Sequence, residues 1–254
     1  MRSGTAEVPA QEFQCPLMRL CSMATACGAA ASSPAGQLVA AHRKVERGEA
    51  LFRSGDPFTS LYAITTGFFK TAVFAQNGRG QITGFEMAGD LLGLDAVASG
   101  RHTCDAIALE PSQVCTLPFD RISVAGRGTQ VLHDQLYLLM GREIVRDQRM
   151  MLVLGSMTAQ ERVACFISDL ADRRDARGWP RGEFVLAMTR GDIGNHLGLT
   201  FETVSRALSH LAARGLIHIK SRRIEVLDTT ALRSGAGATM TRGKPCAVSG
   251  GRQG

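Results

Sequence analysis

The chain has 254 residues, 44% of them apolar and 20% charged, with a mean hydropathy of +0.01. That composition supplies one large core or two small ones and excludes a wholly disordered or collagen-like chain. No uncharged apolar run approaches the roughly 18 residues of a membrane span, and the apolar patch at residues 16–20 is broken by Arg19. Neither a membrane contact nor a secretory signal is expected, and the expected location is the cytoplasm.

The net charge is +6, from 29 basic and 23 acidic residues. Its distribution is uneven. Residues 37–120 carry 7 Lys/Arg against 9 Asp/Glu, whereas residues 184–226 carry 6 against 3. A basic segment late in the chain suits a nucleic-acid contact, although three extra charges also suit a solvated face.

In chain order, residues 1–36 are rich in Ala, Ser and Cys, lack periodicity and read as an N-terminal arm. Residues 37–125 read as a sensor domain. Glycines punctuate short β-favouring runs there, among them Leu61-Tyr-Ala-Ile64, residues 68–74, Gln81-Ile-Thr83 and residues 106–109. Many short strands at this spacing predict an antiparallel sandwich or barrel. Asn77-Gly78 between two runs predicts a type I′ hairpin, because both residues tolerate a positive φ.

Residues 126–157 follow as one long helix. Tyr137, Met140, Ile144, Asp147, Met151 and Leu154 recur at spacings of 3, 4, 3, 4 and 3, a heptad seam with one charge in it. The seam packs either on the chain's own barrel or on a second copy. An Asp at a seam position favours the second copy, where it would repel its symmetry mate and keep the dimer weak.

Residues 158–233 read as a helical domain. Thr158-Ala-Gln-Glu161 forms a capping box before an amphipathic helix that buries Val163, Phe166, Ile167 and Leu170. A short strand is expected at residues 184–188. In the segment beginning at Thr189, a first helix ends near Leu197, Gly198 makes the turn, Leu199 plugs the gap and Thr200 caps a second helix. Val204, Leu208 and Leu211 form its inward stripe, leaving Glu202, Ser205, Arg206 and Ser209 outward. This is the pattern of a helix-turn-helix, whose second helix reads bases from its N-terminal turns. Arg206 can fork onto guanine, Glu202 can accept from cytosine N4, and Ser205 can touch a base edge. A solvent-facing Glu–Arg pair would show the same i, i+4 spacing. Residues 216–220 and 224–227 complete a winged helix, with Arg222 and Arg223 at the wing tip facing phosphates. Residues 234–254 read as a disordered tail. The fold class is α+β: an N-terminal antiparallel β-roll of cupin or jelly-roll type, a long dimerisation helix and a C-terminal winged helix-turn-helix.

With these motifs in place, the sequence resembles the FNR branch of the CRP/FNR bacterial transcription regulators across residues 45–228. The resemblance rests on Leu61-Tyr-Ala-Ile64, Gln81-Ile-Thr-Gly-Phe85, Gly89-Asp-Leu91, Val114-Cys-Thr-Leu-Pro-Phe119, Glu143-Ile144, Asp147-Gln148, Met188-Thr-Arg-Gly-Asp-Ile-Gly-Asn195 and, above all, Leu197-Gly-Leu-Thr-Phe-Glu-Thr-Val-Ser-Arg206 with its E-x-x-S-R reading signature. It implies a homodimer on double-stranded DNA with a TTGAT-type half-site read by Glu202, Ser205 and Arg206. It also implies RNA polymerase as a partner, and an Asp147 that opposes dimerisation until the sensor is loaded.

Seven cysteines in a chain expected to be cytoplasmic argue for metal or redox chemistry over a disulfide framework. The resemblance implies a [4Fe–4S] cluster held by Cys15, Cys21, Cys27 and the distant Cys115, with Cys104 in reserve as the fourth ligand. Both arm spacings are C-x5-C, where the family usually also has a C-x2-C pair. Cys165 is expected in the core, and Cys246 lies in the tail. The Gly89–Cys104 stretch lacks the Glu and the R-[ST]-A ending of cyclic-nucleotide binders, leaving Arg101 as the sole candidate phosphate partner. Alternative readings are a relative that responds to thiol oxidation or a small ligand, and an iron–sulfur redox protein. Against an enzyme, the chain has no G-x-G-x-x-G, P-loop, G-x-S-x-G or H-E-x-x-H motif.

Overall fold

The computed structural model describes residues 41–126, 130–179 and 182–235. The arm cysteines Cys15, Cys21 and Cys27, and the tail beyond residue 235, lie outside the described residues.

Eight short strands build the first half: β1 (Ala41–Val45), β2 (Ala50–Phe52), β3 (Ser60–Thr66), β4 (Phe68–Phe74), β5 (Gly80–Met87), β6 (Leu91–Leu92), β7 (Asp105–Ala108) and β8 (Ser112–Pro118). They form two antiparallel four-stranded sheets, in the orders β1-β8-β3-β6 and β2-β7-β4-β5. Val45, Ile64, Leu92 and Val114 of the first sheet pack in one cluster with Phe52, Phe69, Ala106 and Ala108 of the second. Side chains alternate across each strand, so one face of each sheet is committed to this shared core. In β8, Val114 points into it while its neighbour Cys115 points to the outer face, among Leu61, Ala63 and Leu117.

The β4–β5 connection differs from the expected type I′ turn. Among the described non-glycine residues only Ser221 has a positive φ, so Asn77 does not, whereas Gly78 sits at φ 77°. Gly78 N–H donates to Ala75 O at 2.9 Å, and Ala75 N–H donates to Arg79 O at 2.9 Å. The loop therefore spans three residues and closes with one left-handed glycine, a geometry that asks nothing unusual of Asn77.

Helix α1 (Phe119–Gly126) leads toward α2 (Gln130–Ser156), a 27-residue rod about 40 Å long. Leu136 and Leu139 of α2 pack on the outer face of the β1-β8-β3-β6 sheet, and Met150 and Val153 pack into the second half of the molecule. Helix α3 (Ala159–Asp175) starts at the expected capping box: Glu161 N–H donates to the Thr158 hydroxyl, and the Glu161 carboxylate accepts from Thr158 N–H at 2.8 Å. Such a cap contributes about 1 kcal/mol.

Helices α4 (Arg190–Leu197) and α5 (Phe201–Ala213), a sheet of β9 (Glu183–Val185), β10 (Ile217–Lys220) and β11 (Arg223–Val226) in the order β10-β11-β9, and helix α6 (Thr229–Gly235) complete the described residues. Strand β9 is Glu183–Val185, shorter than the run expected to reach residue 188. The reason lies in Arg222, whose guanidinium takes the carbonyls of Leu186, at 2.9 Å, and Ala187. Strands β10 (Ile217–Lys220) and β11 (Arg223–Val226) form the expected wing hairpin. Helix α6 buries Leu232 completely and was not foreseen.

The two halves are fused along β5. Its Phe85 meets the rings of Phe166 and His196 edge-on, at 5.7 and 5.1 Å between centroids. Phe85 and Met87 share one core cluster with Val163, Ile167, Leu197 and Leu208.

Candidate nucleic-acid interface

Helix α5 forms where the sequence places it. Gly198 ends α4 in the left-handed conformation at φ 65°, and Thr200 caps α5 by accepting from Thr203 N–H at 3.2 Å. Gly198 is close to obligatory here, since a side chain at positive φ is strained. Val204, Ala207, Leu208 and Leu211 are buried, which turns Glu202, Arg206 and Ser209 to solvent. Thr200, Glu202 and Arg206 thus share one exposed edge at the N-terminal end of the helix.

Each outward side chain has a defined setting. The Glu202 carboxyl is held below its ordinary range by its own backbone N–H, then by the Thr200 hydroxyl and the Arg206 charge, so it stays an acceptor. Arg206 reaches back to the Thr203 hydroxyl at 3.4 Å. Ser205 is only half-exposed, and its hydroxyl accepts from Arg190 at 3.1 Å. Arg190, the first residue of α4, therefore stands beside the reading helix; only its place after the Thr189 cap could have pointed to it.

The wing departs from the expectation that both arginines are available to phosphates. Arg222 is committed to the Leu186 and Ala187 carbonyls, where it closes the β9 end of the sheet. Arg223 pairs with Glu183 at 2.8 Å, and both side chains are exposed, so that ion pair can open at little cost.

The seam residues lie on one exposed stripe of α2. Tyr137 is 68% and Met151 70% exposed, and Met140, Ile144, Asp147 and Leu154 are exposed with them. Leu136 and Leu139 pack on the chain's own sheet beside the start of this stripe, and Met140, Ile144 and Asp147 also line the space between α2 and the β-roll. All six are exposed in the single chain, which leaves them accessible to a second copy.

Two cysteines of the sensor half are separated by the sheet. Cys115 is buried on the outer face, registered against His42 of β1, with Sγ 3.4 Å from His42 Nδ1. Cys104 sits in the inner core, and burial together with the nearby Asp95 pushes its thiol up to about 12. That setting opposes the thiolate that metal ligation needs. Cys165 is half-buried against the core of the second half. Among the described residues, no three His, Cys, Asp or Glu side chains come together as a metal site.

Between the β-roll and α2 lies a cavity of about 350 Å³. Its lining includes Glu86, Asp95, Glu143 and Asp147, with Arg146 as the cation among them. Arg101 is not part of that lining and instead donates to Gly55 O at 2.7 Å. Four carboxylates make poor company for a cyclic phosphate. No helix among the described residues is long and apolar enough to cross a membrane.

Comparison with known proteins agrees with this geometry. Residues 42–124 match the cyclic nucleotide-binding domain model and residues 161–234 the Crp-like helix-turn-helix domain model. The anaerobic regulatory protein of Pasteurella multocida is 44% identical over 199 residues, 78% of this chain and 73% of the relative. The electron transport regulator A of Shewanella oneidensis is 42% identical over 82% of this chain and 85% of its own. The fumarate and nitrate reduction regulatory protein of Escherichia coli is 44% identical over 78% and 79%. Among solved structures, FixK2 from Bradyrhizobium japonicum superimposes with a TM-score of 0.70 at 33% identity, covering 78% of this chain and 97% of that one. These relatives are regulators rather than enzymes, their likeness spans both the β-roll and the reading helix, and the chain accordingly belongs to the CRP/FNR family of DNA-binding transcription regulators, on its FNR-like side.

Proposed function

We propose that this regulator responds to oxygen through a [4Fe–4S] cluster and binds a TTGAT-type palindrome as a homodimer, with RNA polymerase as its further partner. The observation that carries the sensor assignment is the register of β1 on β8. The arm enters the fold through β1, whose His42 is the direct partner of Cys115. Cys27 precedes His42 by 15 residues, a stretch that reaches at most about 50 Å, ample for return to Cys115. Cys15, Cys21, Cys27 and Cys115 would supply the four thiolates such a cluster takes from protein. Bound there, the cluster supplies an oxygen-labile link between arm and roll. The chain's part is to keep Cys115 on the sheet face that also carries Leu136 and Leu139 of α2, so that a change at the arm is felt by the dimer helix. The seam of Tyr137, Met140, Ile144, Met151 and Leu154 supplies the apolar contact between copies, and Asp147 supplies the repulsion that keeps it conditional.

On DNA, Arg206 forks onto a guanine, Glu202 accepts from a cytosine and Ser205, oriented by Arg190, meets a base edge or thymine methyl. The relatives' names, which speak of anaerobic regulation, electron transport, and fumarate and nitrate reduction, fit this reading.

Anaerobic purification tests the proposal. A brown protein that bleaches in air and loses specific DNA binding as it does so is expected. A colourless protein that binds the operator equally in air and under nitrogen overturns the oxygen-sensing reading and leaves a thiol- or ligand-responsive regulator.

A further inference from the structure

Helix α4 carries no side chain assigned to base reading, yet it is tied to the β-roll by several polar contacts. Strand β5 lies at the edge of its sheet, so one side of its backbone has no strand partner. The Asn195 carboxamide occupies that edge as a strand would. Its Oδ1 accepts from Ile82 N–H at 2.5 Å, and its Nδ2 donates to Gly80 O at 2.8 Å. Gln81, from the same strand, donates back to Asn195 O at 2.6 Å, and His196 Nδ1 lies 3.0 Å from Ile82 O. One turn earlier, Lys70 of β4 pairs with Asp192 at 2.7 Å. Both members are largely covered, with 24% and 16% side-chain exposure, so solvent screens the pair less than a surface bridge.

The last residue of α4 is fixed to a different element. Arg162 of α3 donates Nη1 to Leu197 O, Nη2 to Leu154 O and Nε to Met157 O, each at 2.9 Å. Leu154 belongs to the last turn of α2, on the seam itself. One guanidinium therefore joins the end of the dimer helix to the end of α4, using carbonyls that a helix terminus leaves without intrahelical donors.

Helix α4 is thus held by two different frames, the β-roll through Asp192 and Asn195 and the end of α2 through Arg162. We infer that Asn195, with Gln81, is a positioning residue for DNA recognition: it sets the angle and separation of the two reading helices in the dimer, and so the spacing between half-sites that the protein accepts. The inference rests on the proposed reading of a dimer on a palindrome. The physical sensitivity is high, because moving a half-site by one base pair shifts it by about 3.4 Å along the axis and turns it by about 35°. Only a rigid mount penalises that change. A loosened one tolerates it.

The experiment measures anaerobic binding of wild type, Asn195→Ala, Asn195→Asp and Gln81→Ala to palindromes with the native spacer and with one base pair added or removed. Sedimentation and thermal unfolding of each variant accompany the binding data. Asn195→Asp keeps the acceptor for Ile82 N–H but sets an oxygen against Gly80 O, so it should resemble Asn195→Ala more than wild type. Wild type is expected to favour one spacer by at least about tenfold, and the Asn195 variants by about threefold or less, while single-base discrimination within a half-site stays as in wild type. Gln81→Ala should fall between. A folded, dimeric Asn195→Ala protein with the wild-type spacer ratio overturns the inference. So does an Asn195→Ala protein that loses spacer preference and half-site discrimination together, since that is general misfolding of the reading head. A wild-type protein with no spacer preference would instead overturn the dimer-on-palindrome reading beneath it.

Discussion

Arg146 of α2 lies 2.8 Å from Glu86 of β5, whose side chain is only 4% exposed. It stands directly before Asp147 in the sequence, so the residue that anchors the helix to the roll and the residue that faces the seam are neighbours. Arg173 of α3 approaches Glu86 at 3.5 Å and binds Asp90 at 2.5 Å, where Arg177 joins it at 2.5 Å. The roll, α2 and the helix leading to the DNA-binding half therefore meet at one buried set of charges.

Removing Arg146 leaves Glu86 buried with only the longer contact to Arg173. Arg146→Leu should cost toward the lower end of about 3–5 kcal/mol in urea unfolding, and adding Glu86→Leu should restore most of it. A single variant as stable as wild type would show that the pair contributes nothing net.

The same cluster predicts a pH dependence. Burial, then the neighbouring Glu86, raises the Glu143 carboxyl to about 7, against the opposing pull of Arg146. The folded chain thus binds this proton more tightly than the unfolded chain, so its contribution to stability is full below the ordinary Glu range and is lost as pH rises toward 7. Glu143→Gln should raise Tm by several degrees at pH 8, about 2–4 °C per kcal/mol, and change it little at pH 4.5. Equal shifts at both pH values would refute the assignment.

Asp147→Ala removes the like-charge pair from the proposed seam while leaving its apolar residues in place. The variant should sediment as a dimer in air and bind the operator there, whereas wild type in air should sediment as a monomer. A monomeric variant would place Asp147 away from the interface.

For the cluster, Cys15→Ala, Cys21→Ala, Cys27→Ala and Cys115→Ala should each lose iron and sulfide after anaerobic reconstitution, whereas Cys104→Ala and Cys165→Ala should keep both. The raised Cys104 thiol supports its exclusion. Full content in Cys15→Ala with loss in Cys104→Ala would move the fourth ligand to Cys104, and full content in Cys115→Ala would break the assignment.

On the operator, Arg206→Ala should abolish specific binding, and Glu202→Ala should chiefly relax discrimination at the C·G pair, each contact being worth about 1–3 kcal/mol. Gel shifts with single-base operator variants measure this. Uniform loss across all sequences in Glu202→Ala would mean that Glu202 supports the helix and reads nothing.

The elements that depend on local chemistry were legible in the residues alone. The Thr158 and Thr200 caps, the Gly198 turn, the Val204–Leu208–Leu211 stripe and the heptad of α2 all follow from spacings of three and four residues and from side chains that bond their own backbone. Tertiary structure decided whatever depends on residues far apart in the chain. It left the heptad residues of α2 exposed while Leu136 and Leu139 pack on the sheet. It took Arg222 from the wing surface to carbonyls 35 and 36 residues away, and it joined Asn195 to a strand edge more than a hundred residues earlier. It also put Cys104 in the core between the two sheets and Cys115 on the outer face of the β1-β8-β3-β6 sheet, although both are cysteines in strand-rich sequence. A carboxamide or guanidinium carries no mark in the sequence of which distant carbonyl it will satisfy. That choice is made only when packing of the apolar faces brings the two backbones within hydrogen-bond reach.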